Sequence, residues 1–219
     1  MIEKCSNEWG EVKKLFDGPS ISFGKHVSYW FYNSPRHLLY AMAHYKFAAK
    51  MIGHDKRVLD VGCGEGLGTW LLAVECGNAM GIDFDDEAVL KAAENWNDPR
   101  VRFQSIDFLN SDLGQFDAVM AFDTIEHIMP ENADGFFRKI ADSLSPDGIT
   151  VIGTPNITAD RYASPIAKEG HVNMYSGERL EEEMSKYFSR VLMFGANDEI
   201  VHTGFLPMAH YLIAVGYLI

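Results

Sequence analysis

The chain has 219 residues, 47% hydrophobic and 23% charged, with 31 acidic against 19 basic side chains and a formal net charge of −12. That length fits one domain with a full core, or two only if both are small. The acidic balance argues against DNA or RNA as a partner, because phosphate binding is driven by lysines and arginines that release counterions, and no run of bases offsets it.

Three cysteines, Cys5, Cys63 and Cys76, show neither a disulfide pattern nor the spacing of a zinc site. No apolar stretch approaches the roughly 20 residues that cross a bilayer. The opening residues lack the apolar segment of a secretory leader. A cytoplasmic protein without membrane contacts is expected.

In chain order, the first distinctive stretch is Tyr29, Trp30, Phe31 and Tyr32 in succession. A helix core stripe would space such side chains by three or four. Two readings stand: a lid over cofactor or acceptor, or a strap packed on the outer helices. Residues 34–53 predict a helix, with Ser34 as its cap, Pro35 in the first turn and Gly53 at the end.

From Arg57 onward, strand-like runs alternate with helix-period segments. "RVLDVG" reads as a buried strand, "LGTWLLAVECG" as a helix ending at Gly77, and "AMGID" as a second strand. "DDEAVLKAAENW" has acids in its first turn and apolar residues at helical spacing. "VRFQSID" and "FDAVMAFD" are the third and fourth strands. "NADGFFRKIADSLSPDG" predicts a helix stopped by Pro146 and Gly148, and "ITVIGTPN" a fifth strand. This alternation implies βαβ crossovers and a mostly parallel sheet with helices on both faces.

The tail breaks the rhythm. Residues 157–175 are long for a simple connection and, following strand five, should overhang an acceptor pocket. "SGERLEEEMSKYFS" is an amphipathic helix capped by Ser176, with Leu180 and Met184 on one face. "FSRVLMFG" and "PMAHYLIAVGYLI" have no helix between them, so they should be antiparallel neighbours. His202, Phe205, Met208 and His210 approach the pocket from that edge, although Phe205 and Met208 also suit the core. The expected fold is a doubly wound α/β sheet of about seven strands, the last pair antiparallel, with an N-terminal helical cap. One domain, 1–219, would comprise the cap (1–53), a cofactor-binding half (54–156) and an acceptor-side half (157–219).

In such sheets ligands sit at the carboxyl ends of the strands, so the turn after the first strand is the place to look. "VLDVGCGEGLG" fails the dinucleotide pattern: six positions along from Gly62 stands Leu67, and from Gly64, Thr69. The phosphate-loop pattern fails as well. Asp60 would repel a pyrophosphate and attract a cation. S-adenosylmethionine has no phosphate and carries a sulfonium and an α-ammonium, so the glycines would serve close backbone approach.

These residues resemble the class I S-adenosylmethionine-dependent methyltransferases, clearly over residues 35–156. The resemblance implies a Rossmann-like methyltransferase fold. It assigns Asp60, Gly62, Cys63 and Gly64 to the cofactor loop, with Asp60 near the methionine moiety. Asp83 would grip the ribose hydroxyls and Phe84 pack on adenine. Asp107 would accept from the adenine amino group beside Phe108, and Phe122 would end the fourth-strand motif at the cofactor. Asp85 and Asp86 are explained as helix caps.

Within the family, "NSPRHLLY", "DTIEHI", "TPN" and "KEGHVNMYS" are similar to the ubiquinone-biosynthesis O-methyltransferase branch. There Arg36 would pair with the cofactor carboxylate. Asp123, Glu126, His127 and His171 would hold a divalent cation, with Zn²⁺, Mn²⁺ or Fe²⁺ suited better than Mg²⁺. Two other readings stand beside that one: Glu126 and His127 act as a metal-free acid–base pair, or the pair merely caps the helix after strand four. The expected activity is methyl transfer to a small-molecule hydroxyl. The alternatives are an N-methyltransferase on a small amine, an RNA 2′-O-methyltransferase, a nucleotide-dependent oxidoreductase, or a domain that binds the cofactor without transferring its methyl group.

Overall fold

The computed structural model describes residues 2–16 and 18–218, the side chains of residues 2–7 lying outside that description, and with them the thiol of Cys5. Three helices, α1 (Ile2–Lys14), α2 (Lys25–Asn33) and α3 (Pro35–Ile52), precede the sheet. The alternating part follows: β1 (Lys56–Val61), α4 (Leu67–Cys76), β2 (Gly77–Asp83), α5 (Asp86–Asn95), β3 (Val101–Ser105), β4 (Phe116–Phe122), α6 (Ala133–Asp142) and β5 (Leu144–Pro155). Then come α7 (Pro165–Gly170), α8 (Gly177–Met184), β6 (Arg190–Ala196), β7 (Val201–His202) and β8 (Tyr211–Tyr217).

The strands form one sheet in the order β3-β2-β1-β4-β5-β8-β6-β7. β1 to β5 are mutually parallel, while β8 runs antiparallel to both β5 and β6. The expected inserted antiparallel strand is therefore present. The count is eight because the two residues of β7 add a short edge beside β6. No helix among the described residues is long and apolar enough to cross a membrane.

Strand alternation sends β1 side chains to two cores. Leu59 and Val61 meet Phe136, Phe137 and Ile140 of α6 and Leu180 and Met184 of α8. Val58 faces Ala48, Ala49 and Ile52 of α3 and Leu72 of α4. α6 buries Ala133, Phe136, Phe137 and Ile140, one stripe at spacings of three, one and three. Each of its two phenylalanines contributes about 1.5–3 kcal/mol by leaving water.

Two terminal assignments differ from expectation. Ser34 stands at the start of α3, but its hydroxyl makes no capping bond; its N–H instead donates to the Trp30 carbonyl at 2.8 Å and closes α2. With α2 directly upstream, the residue serves as a joint between two helices. α6 stops at Asp142, ahead of Pro146 and Gly148, which lie inside β5. The β4–β5 register jumps from Phe116↔Leu144 to Ala118↔Ile149. The intervening bulge tolerates a proline that has no N–H for a ladder, and Asp147 turns at φ +62°.

Candidate functional site

The candidate cofactor cleft begins where β1 ends. The N–H groups of Gly62 and Cys63 donate to the Ile82 carbonyl at 2.8 and 3.0 Å, folding the loop back on β2. Gly62 and Gly66 sit at φ +79° and +76°, and a Cβ at Gly66 would come within 2.6 Å of the Phe103 ring. Cys63 fills the narrow space over Gly81, and burial pushes its thiol pKa far up, so it serves as a small packing side chain.

Asp60 is fully buried. Thr69 Oγ1 donates to its Oδ2 at 2.6 Å, and its Oδ1 has no partner. Burial pushes its pKa up to about 7. A buried orphan carboxylate oxygen under a glycine loop suits a hydrogen-bonding cation.

At the tip of β2, Asp83 accepts from the Gly64 N–H at 2.9 Å and the Asp85 N–H at 3.0 Å. Phe84 beside it is 85% exposed, an aromatic face available to a flat ligand. Asp107, exposed after β3, accepts from the Leu109 N–H at 3.0 Å and from Asn110 Nδ2 at 2.7 Å. Asp85 caps α5, while Asp86 accepts from the Ser105 hydroxyl.

Two of the expected cofactor residues sit elsewhere. Phe108 is buried edge-on to Phe136, with ring centroids 5.7 Å apart. Phe122 is buried against Tyr45 at 5.2 Å. Both rings pack the core, Phe108 in the cluster beneath α6 and Phe122 in the one beneath α3 and α4. Arg36 is exposed on the first turn of α3 and makes no ion pair among the described residues.

A cavity of about 780 Å³ opens between α2, α3, residues 159–174 and the ends of β5 and β8. The loop leaving β4 supplies its acid–imidazole cluster. Asp123 takes φ +49°, a left-handed turn that an aspartate tolerates. Thr124 Oγ1 donates to the Val61 carbonyl at 3.0 Å, tying this loop to the start of the cofactor turn. A 3-10 turn, Ile125–His127, then presents Glu126 and His127.

Glu126 is fully buried; Thr154 Oγ1 donates to its Oε2 at 3.0 Å and Oε1 has no partner. Burial, reinforced by the nearby Asp123 charge, raises its pKa well above the usual carboxylate range. His127 Nδ1 lies 2.9 Å from the Gly170 carbonyl, which fixes the proton on Nδ1 and leaves Nε2 free as a base or ligand. The His171 ring stands 5.1 Å from that of His127, and its buried Nδ1 has no partner. Burial, then the His127 charge, lowers the His171 pKa.

Ligand atoms of Glu126, His127 and His171 all lie within 4.8 Å of one another, and Asp123 stands outside that group. The expected set of four thus contracts to three convergent donors with Asp123 at the cavity wall. Their position is held from behind. The Glu126 carbonyl accepts from the N–H groups of Val172 and Asn173 at 2.9 and 3.0 Å. Arg179 of α8 in turn donates to Asn173 Oδ1, the Met174 carbonyl and Glu183 at 2.8, 2.9 and 2.8 Å.

The opposite wall is aromatic. Trp30 stacks on His37 at 4.5 Å and 13°, and His44 on Tyr211 at 4.7 Å and 20°. Burial, then His26 and His44, lowers His37 to a pKa of about 4, so its imidazole is uncharged near neutrality. Of the four successive aromatics, Tyr29 and Trp30 face the cavity, whereas Tyr32 is 88% exposed. His210 lines the cavity, as do Tyr162 and Ile166 from the long connection. Phe205 and Met208 are mostly exposed and belong to neither the cavity nor the core, and His202 also lies outside the cavity lining. Sequence reasoning gave no role to Thr154, His37, His44, Tyr211 or Glu65, although Thr154, His37 and Glu65 stand within "TPN", "NSPRHLLY" and "VLDVGCGEGLG".

The strand order and the acids at the ends of β1 and β2 and after β3, beside the adjoining cavity, give a Rossmann-like fold of the kind found in methyltransferases. A family model described as a methyltransferase domain matches residues 58–148. The ubiquinone biosynthesis O-methyltransferase of Rickettsia bellii is 34% identical over 112 residues, 49% of this chain and 45% of that one. That of Psychrobacter arcticus is 30% identical over 142 residues, covering 61% and 54%. Each match thus spans about half the length of the curated relative. Among solved structures, N-methyltransferase NodS from Bradyrhizobium japonicum superposes with a TM-score of 0.62 at 17% identity, over 84% of this chain and 97% of that one. Residues 58–148 thus match a methyltransferase domain, and a further relative, from Mycolicibacterium smegmatis, 29% identical over 136 residues, is described as a probable S-adenosylmethionine-dependent methyltransferase.

Proposed function

We propose that the protein moves the methyl group of S-adenosylmethionine onto a hydroxyl oxygen of a small molecule held in the cavity. The observation that carries this reading is the convergence of Glu126, His127 and His171, the first two on a loop tied by Thr124 to the cofactor turn and the third at the end of α7. Methyl transfer is an in-line displacement: the O–C bond forms as the S–C bond breaks, and S-adenosylhomocysteine leaves. Holding oxygen, carbon and sulfur in line supplies much of the acceleration. A hydroxyl must also lose its proton, and His127 Nε2 is placed to take it.

The donor set also fits a divalent cation: one buried carboxylate oxygen and one His171 nitrogen lack partners, and a second imidazole stands beside them. A bound cation would supply a Lewis acid that lowers the pKa of the acceptor hydroxyl. Glu126, His127 and His171 would hold it, and Thr154 would orient Glu126 through its hydrogen bond. The aromatic wall would seat the body of the acceptor and keep water from the reacting oxygen. The charge of −12 supports a small-molecule acceptor over a nucleic acid. Residues 1–219 are read as one catalytic unit.

The test is turnover of chelated protein against a mixed acceptor library, with Mn²⁺, Zn²⁺ or Mg²⁺ added back. Restoration by metal, abolished in His127→Ala and His171→Ala, supports the cation; full turnover in chelator removes the cation and leaves His127 as the base. Methylation confined to amines would overturn the hydroxyl assignment.

A further inference from the structure

Glu65 stands in the glycine turn between Gly64 and Gly66, yet its carboxylate does not face solvent. Its Oε2 accepts from the Gly24 N–H at 2.8 Å, and its Oε1 from the N–H groups of His26 and Val27 at 2.9 and 3.3 Å. These are the free donors at the start of α2, so a side chain of the cofactor turn caps a helix some forty residues upstream. α2 has no capping side chain of its own. A Cβ on Gly24 would fall 2.6 Å from the Glu65 carboxyl carbon, so the strand of chain entering α2 is pressed directly onto this residue.

The other end of Glu65 is fixed as well. Its carbonyl accepts from Trp96 Nε1 at 3.2 Å, and Trp96 stacks on Trp70 of α4 at 5.5 Å and 13°. Neighbouring ties run from the same upstream segment to α5: Ser22 exchanges hydrogen bonds with Asn95, and Lys25 pairs with Glu87. α2, so held, carries His26, Tyr29 and Trp30 into the acceptor cavity, although none of its side chains is buried in a core. With no buried side chain, α2 is placed by its two ends and by the stack of Trp30 on His37 of α3.

We propose that Glu65 is a positioning residue that makes the acceptor wall depend on the cofactor turn: when the turn closes on S-adenosylmethionine, Glu65 fixes α2 and seats Tyr29 and Trp30 against the acceptor. The proposal rests on the cofactor assignment and on the cavity being the acceptor site. Without this carboxylate, cofactor binding and wall formation become separate events.

The test is backbone hydrogen exchange of the full chain with and without S-adenosylhomocysteine, in wild type, Glu65→Ala and Glu65→Gln. In wild type the ligand should slow exchange at residues 24–27 by roughly fivefold or more, the worth of one helix cap. Glu65→Ala should lose that ligand-dependent protection while β1 and β4 exchange as in wild type, and Glu65→Gln, which keeps one acceptor oxygen, should retain part of it. Equal ligand-dependent protection in wild type and Glu65→Ala would overturn the proposal. Should Glu65→Ala not fold, Glu65→Gln with full wild-type protection would overturn it too. Absence of any S-adenosylhomocysteine binding by calorimetry would overturn the cofactor assignment and this link together, whereas binding without the Glu65 effect overturns the link alone.

Discussion

A carboxylate held by burial at a pKa of about 7 is half protonated in the ligand-free protein at neutral pH. For Asp60 this pKa lies above the roughly 3.9 of an unfolded aspartate, so the native state holds the proton more tightly. Its contribution to stability is present in full below the unfolded value and is lost as pH rises towards 7. A cationic ligand acts the other way, since it binds the ionised form. S-adenosylmethionine affinity should therefore rise with pH through about 7 and level off above it, as calorimetry across that range will check. Asp60→Asn should raise the melting temperature at about pH 8 and weaken the cofactor by tenfold or more, on the order of 1.4 kcal/mol. Glu126→Gln, close in shape and still able to accept from Thr154, should melt near wild type yet slow turnover by about 10²–10⁴, as expected for a lost acid–base or ligand group. Asp60 and Asp83 were legible in the sequence because each ends a strand beside a turn, where position along the chain decides what a side chain meets. Phe108 was not, since adjacency to Asp107 says nothing of which way its ring points. Glu65 was hidden for a related reason: a lone acid among glycines reads as a solvated loop residue until Gly24 is brought to it.

Elements with one apolar stripe were the easiest to read. α6 and α8 bury the residues that their spacing selects, and the Ser176 hydroxyl accepts from the Arg179 N–H as a capping serine should. Phe137→Ala should cost about 3–5 kcal/mol by denaturant unfolding, because the ring is wholly buried at the junction of α6 and α8. Ser34 and Pro146 show where local rules yield. Each carries a standard boundary signal, and each is overruled by a neighbouring element, α2 in one case and the β4–β5 bulge in the other. α8 has a second duty that its sequence conceals. Arg179 holds Asn173, whose N–H holds Glu126, so Arg179→Met should destabilise by about 1–3 kcal/mol and also lower turnover. Cofactor affinity should stay near wild type, because Arg179, Asn173 and Glu126 make no hydrogen bond to the glycine turn, which is reached only through Thr124 of the same loop; calorimetry beside a rate assay separates the two.

Across the whole molecule, stability should follow the layers. β1, β4 and β5 lie between two apolar clusters, whereas α2 has no buried side chain and α1 presents Trp9 to solvent. Hydrogen exchange in the ligand-free protein should therefore be slowest in β4 and fastest across residues 8–16 and 18–33, and uniform exchange would contradict this layering. The alternation of strands and helices made the parallel half of the sheet readable, since crossover handedness and pairing follow from it. The outline of the cavity was not readable, because it is drawn by α2, α3 and residues 159–174, which meet only in three dimensions.

β8 has a consequence for biosynthesis. It lies between β5 and β6, so β6 cannot dock when it leaves the ribosome and must wait for residues 211–217. Until then the open flank of β5 is an unpaired edge, and α8 has no completed surface to cover. A nascent chain stalled just before Tyr211 should thus be captured by chaperones and cut readily by proteases, while a stall far enough beyond Tyr217 should yield a resistant product.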